Sequence, residues 1–204
     1  MSFGNFARRV RDTTLPYRWR VSALRSCVQL YRPLGFNATL SFLESRAGRF
    51  QRDEVALLRA LGLIEASRAA WHAEIHAYAA RRHRAKRQGR RSPGAGDPNP
   101  HFQARWYWYG APREAALHAL WFWHRRNLPL LTSSTDPVLL EVGRYVSECL
   151  DSGAVLTTER CELLGTRLSE LERDPRSWDL LPVIRHVEVA TGLRPRASRP
   201  ASRT

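Results

Sequence analysis

The chain has 204 residues and a mass of 23.4 kDa, enough for one domain or two small ones that bury about two-thirds of their unfolded surface without staples. Apolar residues make up 43%, and no apolar run reaches the roughly 18–20 residues of a membrane span, which excludes a fully disordered chain and a transmembrane helix. Thirty-three Lys+Arg face 19 Asp+Glu, giving a net charge of +14 and an isoelectric point near 11.1, which points to polyanionic partners.

In chain order, the start MSFGNFARRVRDTT lacks the apolar centre of a secretory leader. Three scattered cysteines (Cys27, Cys149, Cys161) make no disulfide framework. Together these predict a non-secreted protein in a reducing compartment. A helix is predicted over about 19–31, stopped by Pro33, with Trp19, Leu24, Val28 and Tyr31 on its inner face. A second is predicted over 38–47, with Asn37 as N-cap and Gly48 as stop. Residues 52–87 read as one long helix, because Leu57, Leu61, Ile64, Arg68, Trp71, Ile75 and Tyr78 alternate spacings of four and three. That stripe serves either packing within one chain or a homodimer seam over 57–78.

Residues 88–100 (QGRRSPGAGDPNP) hold three Gly and three Pro, so neither helix nor strand should persist there. They divide a basic N-terminal helical unit, 1–87, from a C-terminal helical unit, 101–193. Phe102–Tyr109 is the one candidate for a short strand. Pro112 should open a helix reaching Arg126, and Asp136-Pro137 one reaching Asp151 before Gly153. Thr157 or Thr158 should open another to about Arg173. A last helix over 178–191 should be kinked or restarted at Pro182 and end at Gly192. The tail 194–204 is rich in Arg, Ser and Pro and is expected to be disordered. The predicted class is mostly α: a small helical bundle or bundles with a basic Gly/Pro-rich linker.

Charge is uneven along this plan. Residues 1–100 carry a net +12, whereas 134–192 carry 11 acidic and 6 basic groups. This predicts polyanion binding at the front and contact with a host protein through 134–192. The densest run is 81–91, where Arg81, Arg82, Arg84, Lys86, Arg87, Arg90 and Arg91 make seven cations in 11 residues with no acid. Such a strip neutralises phosphates and releases counterions, and the same composition serves as a nuclear-import signal or a solvated helix end. Lys86 is the only lysine of the chain. Arg suits bidentate phosphate binding and stacking on bases, although GC-rich or overlapping coding also enriches it.

Four Trp, two Tyr and one Phe fill 106–109 and 121–123. With Arg105, Arg125 and Arg126 beside them, Trp106 and Trp108 could stack bases, each stacked base being worth about 1–3 kcal/mol. The other reading is a core in which Leu117, Leu120 and Trp121 are buried and Phe122 or Trp123 lies near the surface. Arg8, Arg9, Arg11, Arg18, Arg20, Arg25 and Arg32 oppose only Asp12 in the first 32 residues. They could form a second phosphate-facing surface, a membrane-surface element, or simply the outer face of a helix. His72 and His76 stand four apart, but H-x-E-x-H is not a zinc-protease motif, and Cys149 and Cys161 lack a ligand-spaced partner. No phosphate loop, nucleophile elbow or other catalytic frame is present in the sequence, so catalytic residues, cofactors and metals are all expected to be none.

Trp108-Tyr109-Gly110 followed by Glu114-Ala115, then Cys149-Leu150-Asp151, then Ala190-Thr191-Gly192-Leu193 resemble the silencing suppressors of poleroviruses, plant viruses of luteo-like type, over about 85 residues. The resemblance implies a viral accessory protein that disables small-RNA defence by steering an Argonaute protein to degradation through an F-box-like Leu-Pro motif. Here Leu15-Pro16 is followed by Trp19 where that motif wants Leu or Ile, while Pro33 falls at a permissible distance. The resulting expectation is a non-enzymatic, RNA-binding suppressor of RNA silencing in the host nucleus or cytoplasm. The alternative is a nuclear protein-interaction adaptor whose basic run serves import alone.

Overall fold

The computed structural model describes residues 2–90 and 99–193 and is mostly α-helical, with no strand among the described residues. Among the described residues nine helices follow one another: α1 (Phe3–Arg11), α2 (Tyr17–Leu30), α3 (Phe36–Ala47), α4 (Glu54–Arg87), α5 (Pro100–Gln103), α6 (Pro112–Ser133), α7 (Pro137–Asp151), α8 (Thr158–Leu171) and α9 (Leu181–Thr191). A 3-10 segment, Pro175–Leu180, leads into α9. The tail 194–204, Arg91 and most of the Gly/Pro-rich linker lie outside the described residues.

The helix starts follow local chemistry. The Asp53 carboxylate accepts from Val55 N at 3.0 Å and starts α4, and Asp136 accepts from Val138 N at 2.9 Å ahead of Pro137 in α7. Thr157 caps α8, its Oγ1 accepting from Arg160 N at 3.3 Å. Pro182 restarts the chain in the first turn of α9, and Gly192 ends that helix at φ +74°.

Several expectations need correction. Helix α1 was not foreseen: Ser2 caps it, and Phe3, Ala7 and Val10 bury one face between arginines. Helix α3 begins two residues before the predicted start, because Gly35 turns the chain at φ +81° and Thr39 Oγ1, not Asn37, accepts from Leu34 N at 3.3 Å. Helix α6 runs past Arg126 through Pro129, with Thr132 and Ser133 hydroxyls donating to carbonyls of that turn. The candidate strand at 102–109 is instead the end of α5 and a turn. Asn99 caps α5, its Oδ1 accepting from His101 N at 3.1 Å, and Trp106 N donates to Gln103 O at 3.0 Å.

Two apolar cores form. The first packs α1–α4 around Leu24, Leu43, Phe50, Leu57, Leu61 and Ile64, each buried leucine contributing about 1.5–3 kcal/mol. The second packs α6–α9 around Leu120, Val146, Leu164, Leu168 and Ile184. Helix α6 touches both. Ala115 and Ala119, four apart, face the first core, and Ala116 and Leu120 face the second. Alanines let α3 and α9 approach from either side, and Arg46 Nη1 donates to Glu114 Oε1 at 2.5 Å across the α3–α6 contact.

Candidate nucleic-acid interface

Helix α4 leaves the first core after Ser67. Its last anchors are Trp71, stacked on Tyr31 at 5.5 Å, and the Trp71 indole, which donates to Pro100 O at 2.9 Å. From Ala73 to Arg84 no side chain is fully buried, so the distal helix stands out from the bundle. It ends in a Schellman turn. Gly89, at φ +73°, donates to Lys86 O, and Arg90 N donates to Ala85 O at 2.9 Å. That turn brings Arg90 back beside the helix end.

Within this segment Arg81 is half-buried. It donates to Glu74 Oε1 at 2.5 Å and lies 5.8 Å from the centre of the Tyr78 ring. Arg82, Arg84, Lys86 and Arg87 are exposed and pair with no carboxylate among the described residues. Arg82, His83, Lys86 and Arg90 line a cleft of about 760 Å³ with Ile75, Tyr78, Asn99 and His101, between α4 and α5. Three cations of this cleft, Arg82, Lys86 and Arg90, pair with no carboxylate among the described residues, and with Tyr78 and two imidazoles beside them they make a surface suited to a phosphate chain. Of the predicted strip, only Arg91 lies outside the described residues.

The aromatic candidates separate from this surface. Trp108 is a core residue at 4% exposure, meeting Phe42 edge-on at 4.9 Å, so it offers no stacking face. Trp106 is partly buried against the second core with Arg185 5.5 Å over its ring, so that face is taken within the chain. Arg105 is exposed. Trp121, expected in the core, is 43% exposed under Arg125 at 5.6 Å, while Phe122 and Trp123 pack partly into the cores. The small faces of Ala115, Ala116 and Ala119 hold α6 against its neighbours, which turns Trp121 outward. Arg126 lines a different cleft, among α3, α6 and α9. Thus Arg125 and Arg126 share no described contact with the end of α4.

The N-terminal arginines also divide. Arg11 forms a two-point pair with Glu65, and Arg20 is buried, with Nε donating to Val10 O at 2.8 Å and Nη2 to Glu54 Oε1 at 2.7 Å. Arg20 therefore ties α1, α2 and α4 together and cannot face phosphate. Trp19, expected on the inner face, is 48% exposed as a result. Arg18, Arg25 and Arg32 remain exposed. In the α4 stripe, Leu57, Leu61 and Ile64 are fully buried within the chain and Trp71 packs on Tyr31, leaving Ile75 and Tyr78 for any seam with a second copy.

Burial pushes the Cys27 and Cys149 thiols up to about 12, which leaves both as neutral core groups. The His72 imidazole is held below its ordinary value by burial and by Arg68 and His76. Among the described residues no group of three or more His, Cys, Asp or Glu side chains could hold a metal, and no helix is long and apolar enough to cross a membrane. Comparison with protein-family models, curated proteins and solved structures gives no match to this chain.

Proposed function

We propose that this chain is a small, basic, non-enzymatic accessory protein of viral type that binds RNA through the end of α4 and interferes with host RNA-based defence. The observation that carries the RNA reading is the set of Arg82, Arg84, Lys86 and Arg87, all exposed and paired with no carboxylate among the described residues, with Arg82 and Lys86 in one cleft with Tyr78 and His101. The link to silencing rests on the polerovirus-like residues of the second half. A gel-shift with single- and double-stranded RNA tests the binding. Replacing Arg82, Arg84, Lys86 and Arg87 with Gln should remove the shift at moderate salt, while an intact shift would overturn the reading.

A second reading, a nuclear protein-interaction adaptor, is favoured by Leu163. This residue is 60% exposed and lines an open groove of α7 and α8 with Glu159 and Glu162. A reporter carrying residues 78–93 that enters the nucleus, together with a full chain that binds no RNA, would favour the adaptor.

A further inference from the structure

The cleft between α4 and α5 has the shape of a path for one strand. Tyr78, Arg82 and Lys86 stand four residues apart on α4 and all line the cleft, so they form a single row along that side of the helix. Arg90 lines the same cleft. The opposite wall is α5, which is short but fixed. Asn99 caps it, its Oδ1 accepting from His101 N at 3.1 Å, and the Trp71 indole donates to Pro100 O at 2.9 Å.

That wall also carries a ring that the fold leaves unused. Of the aromatic residues in 102–109, only Phe102 is exposed, the others being partly or fully buried. Phe102 follows His101 in α5, is 64% exposed and belongs to neither core. Arg105, also exposed, lies one turn on, its N–H donating to Phe102 O at 3.3 Å. A row of cations facing a wall with a free ring suits a strand whose phosphates are gripped while its bases are open to stacking. An A-form duplex is different. Its bases are paired inside, and proteins hold it by phosphates and 2′-hydroxyls across successive grooves. A duplex would meet the cations of this cleft without using the ring.

Resting on the RNA reading of this surface, we infer that its ligand is single-stranded RNA, with the phosphates of one strand on Arg82, Lys86 and Arg90 and an unpaired base stacked on Phe102. The cations then supply affinity that any RNA shares, and the choice of strand state resides in Phe102. Stacking is indifferent to which base is presented, so no sequence preference is expected.

The test measures fluorescence anisotropy of the full chain with a labelled RNA of about 16 nucleotides that has no self-complementarity, and with the same strand annealed to its complement, at one salt concentration. The single strand should bind at least about fivefold more tightly than the duplex, the gain expected from one stacked base. Phe102→Ala should remove that gain, weakening the single strand by about fivefold or more and leaving the duplex unchanged, and Phe102→Trp should restore it. Because Phe102 is exposed, the melting temperature of the Ala variant should match the parent, which separates loss of stacking from loss of fold. Equal or tighter binding of the duplex would overturn the single-strand assignment and keep the RNA reading. So would a Phe102→Ala variant that binds the single strand as the parent does, or that weakens both RNAs alike. Binding of neither RNA would instead strike the RNA reading itself.

Discussion

The arginines of α7–α9 and those at the end of α4 are the same side chain in opposite settings. In the C-terminal half, Arg160 grips Glu148, Arg167 bridges Glu141 and Glu170, Arg176 pairs with Asp174, and Arg185 is buried between Glu172 and Glu188. At the end of α4, Arg82, Arg84, Lys86 and Arg87 face solvent with no carboxylate in reach among the described residues. The first group is spent on holding helices to one another. The second contributes nothing to packing, so its charge is available to a partner. Arginine content alone does not separate these roles; the local supply of acids does.

The largest expected contrast is in stability. Arg185→Leu should cost about 3–5 kcal/mol in chemical denaturation, because it strands the carboxylates of Glu172 and Glu188 in a buried setting. Arg82→Leu, on the exposed strip, should shift stability by less than about 0.5 kcal/mol. Comparable losses from both variants would erase the distinction.

Acid should act next, and on the paired helices rather than on the α4 strip. Hydrogen bonds from Arg167 hold the Glu141 carboxyl below its ordinary range, and those from Arg160 do the same for Glu148. A depressed folded pKa contributes stability that is complete above the unfolded value, about 4.3, and is lost as pH falls through the folded value. Melting curves below that pH should therefore show helices α7–α9 weakening. The double variant Arg160→Gln, Arg167→Gln should flatten this acid dependence, whereas Arg82→Gln, Arg87→Gln should leave it unchanged.

The smallest effect sharpens the comparison from the other side. Replacing Arg82, Arg84, Lys86 and Arg87 together with Gln should leave the melting temperature unchanged or slightly raised, as like charges on adjacent turns are removed. A clear loss of stability would mean that the strip has an internal partner.

Much of the architecture was legible because helix boundaries are written in local chemistry. Asp136-Pro137, Thr157 and Gly192 mark ends that the structure keeps. The long helix and its basic end followed from spacing and charge alone. What escaped depended on tertiary partners. The aromatic alternation at 106–109 resembled a strand, yet Trp108 is drawn into the first core by Phe42, and Trp106 goes to the second core under Arg185. Arg20 read as one more exterior charge until Val10 O and Glu54 met it across three helices. The cleft that takes Arg126 could not be read at all, because its residues come from 34–38, 119–127 and 182–186 and only the fold brings them together.

The central claim is that the unpaired strip on α4, not the total charge, grips nucleic acid. Its most direct test is the slope of log K against log[salt] for RNA binding by the full chain. Each phosphate contact contributes about 0.7–0.9 to that slope, so Gln at Arg82, Arg84, Lys86 and Arg87 should reduce it by about 3. Gln at Arg11, Arg160, Arg167 and Arg176, an equal loss of charge at ion-paired positions, should leave it unchanged. Equal reductions in the two variants would show that net charge alone governs binding and would contradict the account.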